Sequence, residues 1–190
     1  MIKRHATSFA LLLAGLAYFV PSVAGGAPAA CTPIAILAVM AYGADLVLSY
    51  LGEVSLGHTV FWAAGGYSAA ILAVNYGWNG WATAGGAVVV SLVFACLLGL
   101  ATLRTREFVF SLVTYAAAVV AMEIAFNWSY LGGSDGVVGI PPLDLPLLGW
   151  KFGGATNDEL WPIAWLLLMA TLLFIHRFRR SRLGTSALMV

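Results

Sequence analysis

Apolar and polar positions in this chain are segregated into long blocks. Six apolar segments can be drawn, at Ser8–Pro21, Pro33–Leu51, Thr59–Asn75, Ala82–Leu103, Phe108–Asn127 and Leu160–Ile175. Runs of this length predict membrane-crossing helices. At about 1.5 Å per residue, the 22 residues of Ala82–Leu103 span a hydrocarbon core of about 30 Å. The last segment is short, but Trp161 and Trp165 suit an outer interface, Asn157 or Asp158 can cap its helix, and Pro162 falls in the first turn. The pattern predicts an all-α fold, a polytopic transmembrane helical bundle of about six spans. One of these spans can be broken or re-entrant.

Composition agrees. The 190 residues are 62% hydrophobic and 9% charged, with a mean hydropathy of +0.94. A soluble domain is about half apolar and about a quarter charged. The distribution of charge adds an orientation. With the N-terminus cytoplasmic, six crossings put Lys3, Arg4, Arg104, Arg106, Arg177, Arg179, Arg180 and Arg182 on the inner side and only Lys151 outside. That is the positive-inside bias, and it makes both termini cytoplasmic. The first segment has a second reading: a basic start, an apolar core and the small residues of PSVAGGAPAAC also resemble a secretory signal. A retained first helix is expected, because five further spans follow; cleavage would leave the orientation of the rest unchanged.

The polar exceptions carry the candidate chemistry. The stretch YLGEVSLGHTVF places Gly52, Glu53, Ser55, Gly57 and His58 between two apolar runs. Two geometries fit: a solvated cytoplasmic turn, or a broken helix whose half-ends point into a pathway. Asp45 lies inside the second segment, where a central acid costs about 2.5–3.5 kcal/mol on insertion scales. Ser49 and Glu53 follow it at four-residue steps, so a continuous helix would align all three on one face. Glu123 lies in the fifth segment, one turn before Asn127. Intramembrane acids either bond a neighbouring helix or line a polar route. Gly85, Gly86 and Gly99 would permit close helix contact in the fourth segment. The 127–159 stretch is expected outside as a structured cap, rich in Gly, Pro, Trp and Asp.

Other chemistry is excluded on residue grounds. Cys31 and Cys96 give neither a disulfide framework nor metal-ligand spacing. His5, His58 and His176 form no evident haem or metal pair. GGSDGVVG has no following GK[ST], so no nucleotide site is expected there. The short basic cluster ends an apolar run, which argues against nucleic acid. No hydrolytic triad or paired carboxylate can be argued, so no cofactor and no enzymatic activity are expected.

The run DLVLSYLGEVSLGHTVFWAAGGYSAAILA resembles the signature region of branched-chain amino-acid ABC importer permeases. LRTREFVFSLVTYAAAVVAMEI, LGGSDGVVGIPP and the closing RFRRSRLG resemble later stretches of that family, in the same order. The resemblance implies one permease domain over residues 1–190, embedded in membrane lipid of the bacterial inner membrane. It implies partners: a homologous permease subunit, cytoplasmic ATPase subunits and a periplasmic substrate-binding protein. Asp45, Ser49, Gly52, Glu53, Ser55, Gly57, His58 and Glu123 would then shape the passage. Gly132, Gly133, Ser134, Asp135 and Gly136 would meet the binding protein. Family members usually carry Asn, Gly and Gln where this chain has Asp45, Ser49 and Glu53, so a cationic or amide solute is conceivable. The family's ATPase-coupling segment and later spans are expected to be missing after TSALMV, which leaves a stand-alone proton-coupled carrier or channel, or a non-transporting remnant, as alternatives.

Overall fold

The structure is a computed structural model, and it describes residues 15, 18, 28–102, 104–105, 107–142, 145–147, 150–152 and 157–181. Five α-helices occur among them: α1 (Pro28–Leu51), α2 (His58–Val74), α3 (Gly80–Thr102), α4 (Glu107–Asn127) and α5 (Asn157–Arg180). Two short 3₁₀ turns, Ser129–Leu131 and Gly133–Asp135, follow α4. A small two-stranded ribbon, β1 (Leu145–Leu147) and β2 (Trp150–Phe152), precedes α5. Four helices are long and apolar enough to cross a membrane: Ala30–Leu51, Gly80–Thr102, Phe108–Asn127 and Glu159–Arg179. The helical membrane architecture expected from the apolar blocks is therefore present. The first predicted segment, Ser8–Pro21, lies outside the described residues except for Gly15 and Tyr18.

The chain forms two compact units. One joins Met1–Leu51 to Pro146–Val190, and the other is Gly52–Leu145. In the first, α1 packs on α5. Thr32, Ala35 and Ala164 are its buried residues on these helices, small enough for helix backbones to approach. Aromatic edges complete the contact: Tyr50 meets Phe178 at 5.2 Å and Tyr18 meets Trp165 at 5.1 Å between ring centroids. Helix α5 begins earlier and runs longer than the sequence pattern indicated. Asn157 and Asp158 are already helical, so neither stands ahead of the helix as a cap. Pro162 lies in the second turn, not the first, and supplies no N–H to the Asp158 carbonyl.

In the second unit α2 and α3 run antiparallel. Ser91 Oγ donates to the Phe61 carbonyl at 3.1 Å. A β-carbon on Gly65 would stand 2.8 Å from Ser91 Oγ, and one on Gly86 would stand 2.4 Å from Leu72 Cδ1. At these two glycines a side chain of the facing helix fills the space that a β-carbon would need. Gly85 and Gly99, also expected at a helix contact, have nothing within 4 Å of such a carbon. They lie on the outer face of α3 with Val88, Val89, Leu92, Leu97 and Leu100, all exposed, as a lipid-facing surface requires.

The α2–α3 connection is built by capping. Gly77 takes a left-handed φ of +62° just past α2. Asn79 Oδ1 accepts the Ala82 N–H at 2.9 Å, satisfying one of the first free donors of α3. Asn79→Ala is expected to cost about 1 kcal/mol, read as a lower thermal midpoint in detergent, with Asn79→Asp retaining most of it.

Candidate functional site at a helix break

Helix α1 stops at Leu51, and Gly52 follows with φ +68°, a left-handed conformation that glycine adopts without steric cost. Residues 52–57 are non-helical, and α2 starts at His58. Helix α2 has 17 residues, about 25 Å of rise, which falls short of a bilayer core of about 30 Å. Residues 52–57 lie directly before this shorter apolar helix.

The place of this stretch follows from its neighbours. Gly57 is buried, and a β-carbon there would lie 3.0 Å from the Thr114 carbonyl oxygen, 3.2 Å from Thr114 Cβ and 3.3 Å from Leu98 Cδ2. Leu98 is four residues from the end of α3 and Thr114 seven from the start of α4, so the break lies about 6–10 Å inward from the α3–α4 connection. Its main-chain groups are satisfied by α4. Ser111 Oγ donates to the Val54 carbonyl at 2.7 Å, and the Leu56 N–H donates to Thr114 Oγ1 at 3.1 Å. Such bonds hold irregular backbone where helical partners are missing.

The side chains of the break are partly enclosed. Glu53, Ser55 and His58 are half-buried, and Glu53 Oε2 is shielded from solvent. His58 Nδ1 is also shielded and makes no hydrogen bond among the described residues, while its ring meets Phe61 edge-on at 6.0 Å. A ring nitrogen keeps its hydrogen-bonding capacity there. It can accept from, or donate to, a solute or water in the break. The first turn of α2 opens there too, with Gly57 giving no side-chain cap.

The other sequence candidates lie elsewhere. Asp45 and Ser49 form an i,i+4 pair on α1, Ser49 Oγ donating to Asp45 Oδ1 at 3.1 Å. Glu53 does not continue their line, because the helix has already ended at Leu51. No Lys or Arg occurs between residues 5 and 103, and the Ser49 hydroxyl gives Asp45 a hydrogen-bond donor on its own helix. Glu123 does not join the break either. It is exposed, nine residues or about 13 Å further along α4 than Thr114, and Asn127 Nδ2 donates to its Oε2 at 3.1 Å and to its carbonyl at 2.9 Å. Ser111 and Thr114 are the residues that pattern reading missed. The available signal was a pair of hydroxyls at i,i+3 in an otherwise apolar helix, which marks one face.

At the other end of α4 the glycines form a tight turn. Gly132, Gly133, Gly136 and Gly139 all have positive φ, between +58° and +86°. A β-carbon on Gly132 would meet the Gly136 carbonyl oxygen at 2.0 Å, so the chain folds back on itself where no side chain fits. Ser134 and Asp135, both exposed, line a cavity of about 180 Å³ with Gly133, Gly136, Tyr67 and Phe126. The structured cap expected over 127–159 is present in this part.

Tyr76, exposed between α2 and α3, has its phenol pKa raised above the ordinary 10.0. The hydrogen bond with Tyr130 is the main cause, followed by the Coulombic effect of that phenol and by desolvation. A raised phenol favours the neutral form, so this tie between the α2–α3 connection and the turn after α4 is fully present below about pH 10 and is lost as Tyr76 ionises above it. Tyr130→Phe should move the Tyr76 transition down, read by ultraviolet phenolate titration.

Comparison with known proteins places this geometry. A family profile described as the permease component of branched-chain amino acid transport systems matches residues 29–190. The high-affinity branched-chain amino acid transport system permease protein LivM of Salmonella typhimurium is 27% identical over 96% of this chain and 48% of its own length. LivM of Escherichia coli is 28% identical over 77% of this chain and 39% of its own length. The chain thus spans half or less of the curated relatives it matches. No solved structure matches it. With its apolar spans and its match over residues 29–190, the chain belongs to the family of permease components of branched-chain amino acid transport systems, as an integral membrane protein.

Proposed function

We propose that this chain is a permease subunit of an ABC importer and forms part of the membrane pathway for branched-chain or related amino acids. ATP hydrolysis is supplied by separate cytoplasmic ATPase subunits, a homologous permease completes the pathway, and a periplasmic binding protein delivers the solute. The protein sits in the bacterial inner membrane with both termini cytoplasmic, as the one-sided distribution of Arg and Lys supports. The observation that carries the reading is the non-helical stretch 52–57, seated between helices of a chain that belongs to a permease family. A broken helix brings polar main-chain and side-chain groups to a depth where an amino-acid solute needs them. Glu53, Ser55 and His58 contact the passing solute, while Gly52 and Gly57 allow the break. Asp45 with Ser49 is an acidic position on α1, and the turn at Gly132–Gly136 meets the binding protein.

The test is uptake. Membrane vesicles holding the complete transport system should accumulate labelled leucine only with ATP inside and binding protein outside. Purification from native membranes should recover an ATPase subunit with this chain. Accumulation that persists without ATP and follows an imposed pH gradient would replace this reading with a stand-alone proton-coupled carrier.

A further inference from the structure

We infer that Ser111 and Thr114 are positioning residues: their hydroxyls fix the conformation of the 52–57 break and make it move as one body with α4. The consequence for transport rests on the permease reading above; the mechanical claim does not.

The bonds form one directed ring. Ser111 Oγ gives its proton to the Val54 carbonyl at 2.7 Å. Thr114 Oγ1 gives its proton to the Ser111 carbonyl at 3.0 Å. A hydroxyl has one proton, so the remaining capacity of Thr114 Oγ1 is as an acceptor, and the Leu56 N–H occupies it at 3.1 Å. The Leu56 N–H and the Ser111 carbonyl both engage Thr114 Oγ1, and the rotor of Thr114 is fixed by the two. Such chains strengthen one another in surroundings of low dielectric. Thr114 is 2% exposed, so water does not compete for its hydroxyl.

A third contact makes the attachment rigid. Gly57 lies against the Thr114 carbonyl and Cβ so closely that an added carbon would touch both. Val54, Leu56 and Gly57 are thus each tied to one turn of α4, two by hydrogen bonds and one by packing. Side chains at i,i+3 on a helix lie about 5–6 Å apart, close to the step of about 6.6 Å between alternate residues of an extended chain. That match lets a single helical turn hold both Val54 and Leu56. Ser55 lies between the two fixed points, so its position is set by α4 and not by its own side chain. An isolated capping bond would fix only one end; here a displacement of α4 carries the segment with it.

Thiol reactivity tests this in the full chain, in native membranes. Ser55→Cys is introduced, and reaction with a small maleimide is followed separately at that site and at the native Cys96 by peptide mass spectrometry. Adding Thr114→Val keeps the shape but removes the hydroxyl. It should speed reaction at position 55 by roughly tenfold, the size expected for one lost hydrogen bond at a partly enclosed site. Cys96, on the lipid-facing side of α3, is out of reach of an aqueous reagent and should stay unlabelled in every variant; labelling there would report general unfolding. Thr114→Ser restores the hydroxyl and should restore the parental rate. Ser111→Ala, at a half-buried position, should also raise the rate, and the double variant should give less than the product of the two single effects. Should Thr114→Val fail to reach the membrane, Ser111→Ala carries the same comparison. Parental reactivity in both hydroxyl-deleted variants, or a Thr114→Ser rate equal to that of Thr114→Val, would overturn the inference. None of these readings requires transport, so loss of the permease assignment would appear in uptake and not here.

Discussion

Gly57→Leu is expected to abolish uptake while the protein still reaches the membrane. At Gly57 the nearest obstacle is a main-chain carbonyl, that of Thr114, at 3.0 Å from an added β-carbon. A backbone oxygen in mid-helix cannot rotate away as a side chain can. Alanine should be tolerated poorly, at a cost of about 1–3 kcal/mol for overpacking, and leucine should cost more. The segment must then leave α4 and give up the bonds that hold the Val54 carbonyl and the Leu56 N–H. The control is Gly99→Leu. Gly99 is in the apolar part of α3 with nothing within 4 Å, and the same substitution there should leave uptake near the parental level. Equal loss at both sites would mean that leucine acts through general helix packing and not through the break. Initial rates of leucine uptake, normalised to membrane-inserted protein, decide between them.

Gly132→Ala should be the most damaging alanine substitution in the turn after α4. The residue combines φ +86° with an obstruction at 2.0 Å, again a main-chain oxygen, that of Gly136. Left-handed backbone alone costs a non-glycine residue about 1–2 kcal/mol. Gly139 measures that part separately, since it has φ +76° and open space around it. Gly139→Ala should therefore cause a mild effect and Gly132→Ala a severe one. Limited proteolysis from the periplasmic side reads the turn directly. Cleavage within 128–139 should rise strongly for Gly132→Ala and slightly for Gly139→Ala. If this turn receives the binding protein, apparent affinity for that partner should fall in the same order.

Several of these features were legible in the sequence, for identifiable reasons. Long apolar blocks have one stable solution in lipid, so the helices after residue 28 lie where the pattern put them. The break was legible because Gly52, Gly57 and three polar side chains interrupt an apolar run. The Asp45–Ser49 pair was legible because i,i+4 neighbours meet whenever a helix forms. What failed depended on tertiary contact or on local backbone. Glu53 leaves the line of Asp45 because a left-handed glycine ends α1 two residues earlier than a continuous helix needs. Gly85 and Gly99 looked like Gly86, and only its contact with Leu72 tells it apart. Ser111 and Thr114 were passed over since a hydroxyl in an apolar helix usually bonds its own backbone. Thr114 does so, and its second bond to Leu56 follows from which segment lies beside it. Glu123 was grouped with the break from its type, whereas its place along α4 puts it toward the turn after that helix.

The accessibility of residues 52–58 tests the proposed solute contact most directly. In vesicles holding the complete transporter, Glu53→Cys and His58→Cys should each react with a small water-soluble thiol reagent, and saturating leucine with binding protein should slow both reactions. Reagent that reaches neither position, with and without nucleotide, would contradict the assignment of the break as the route of the solute.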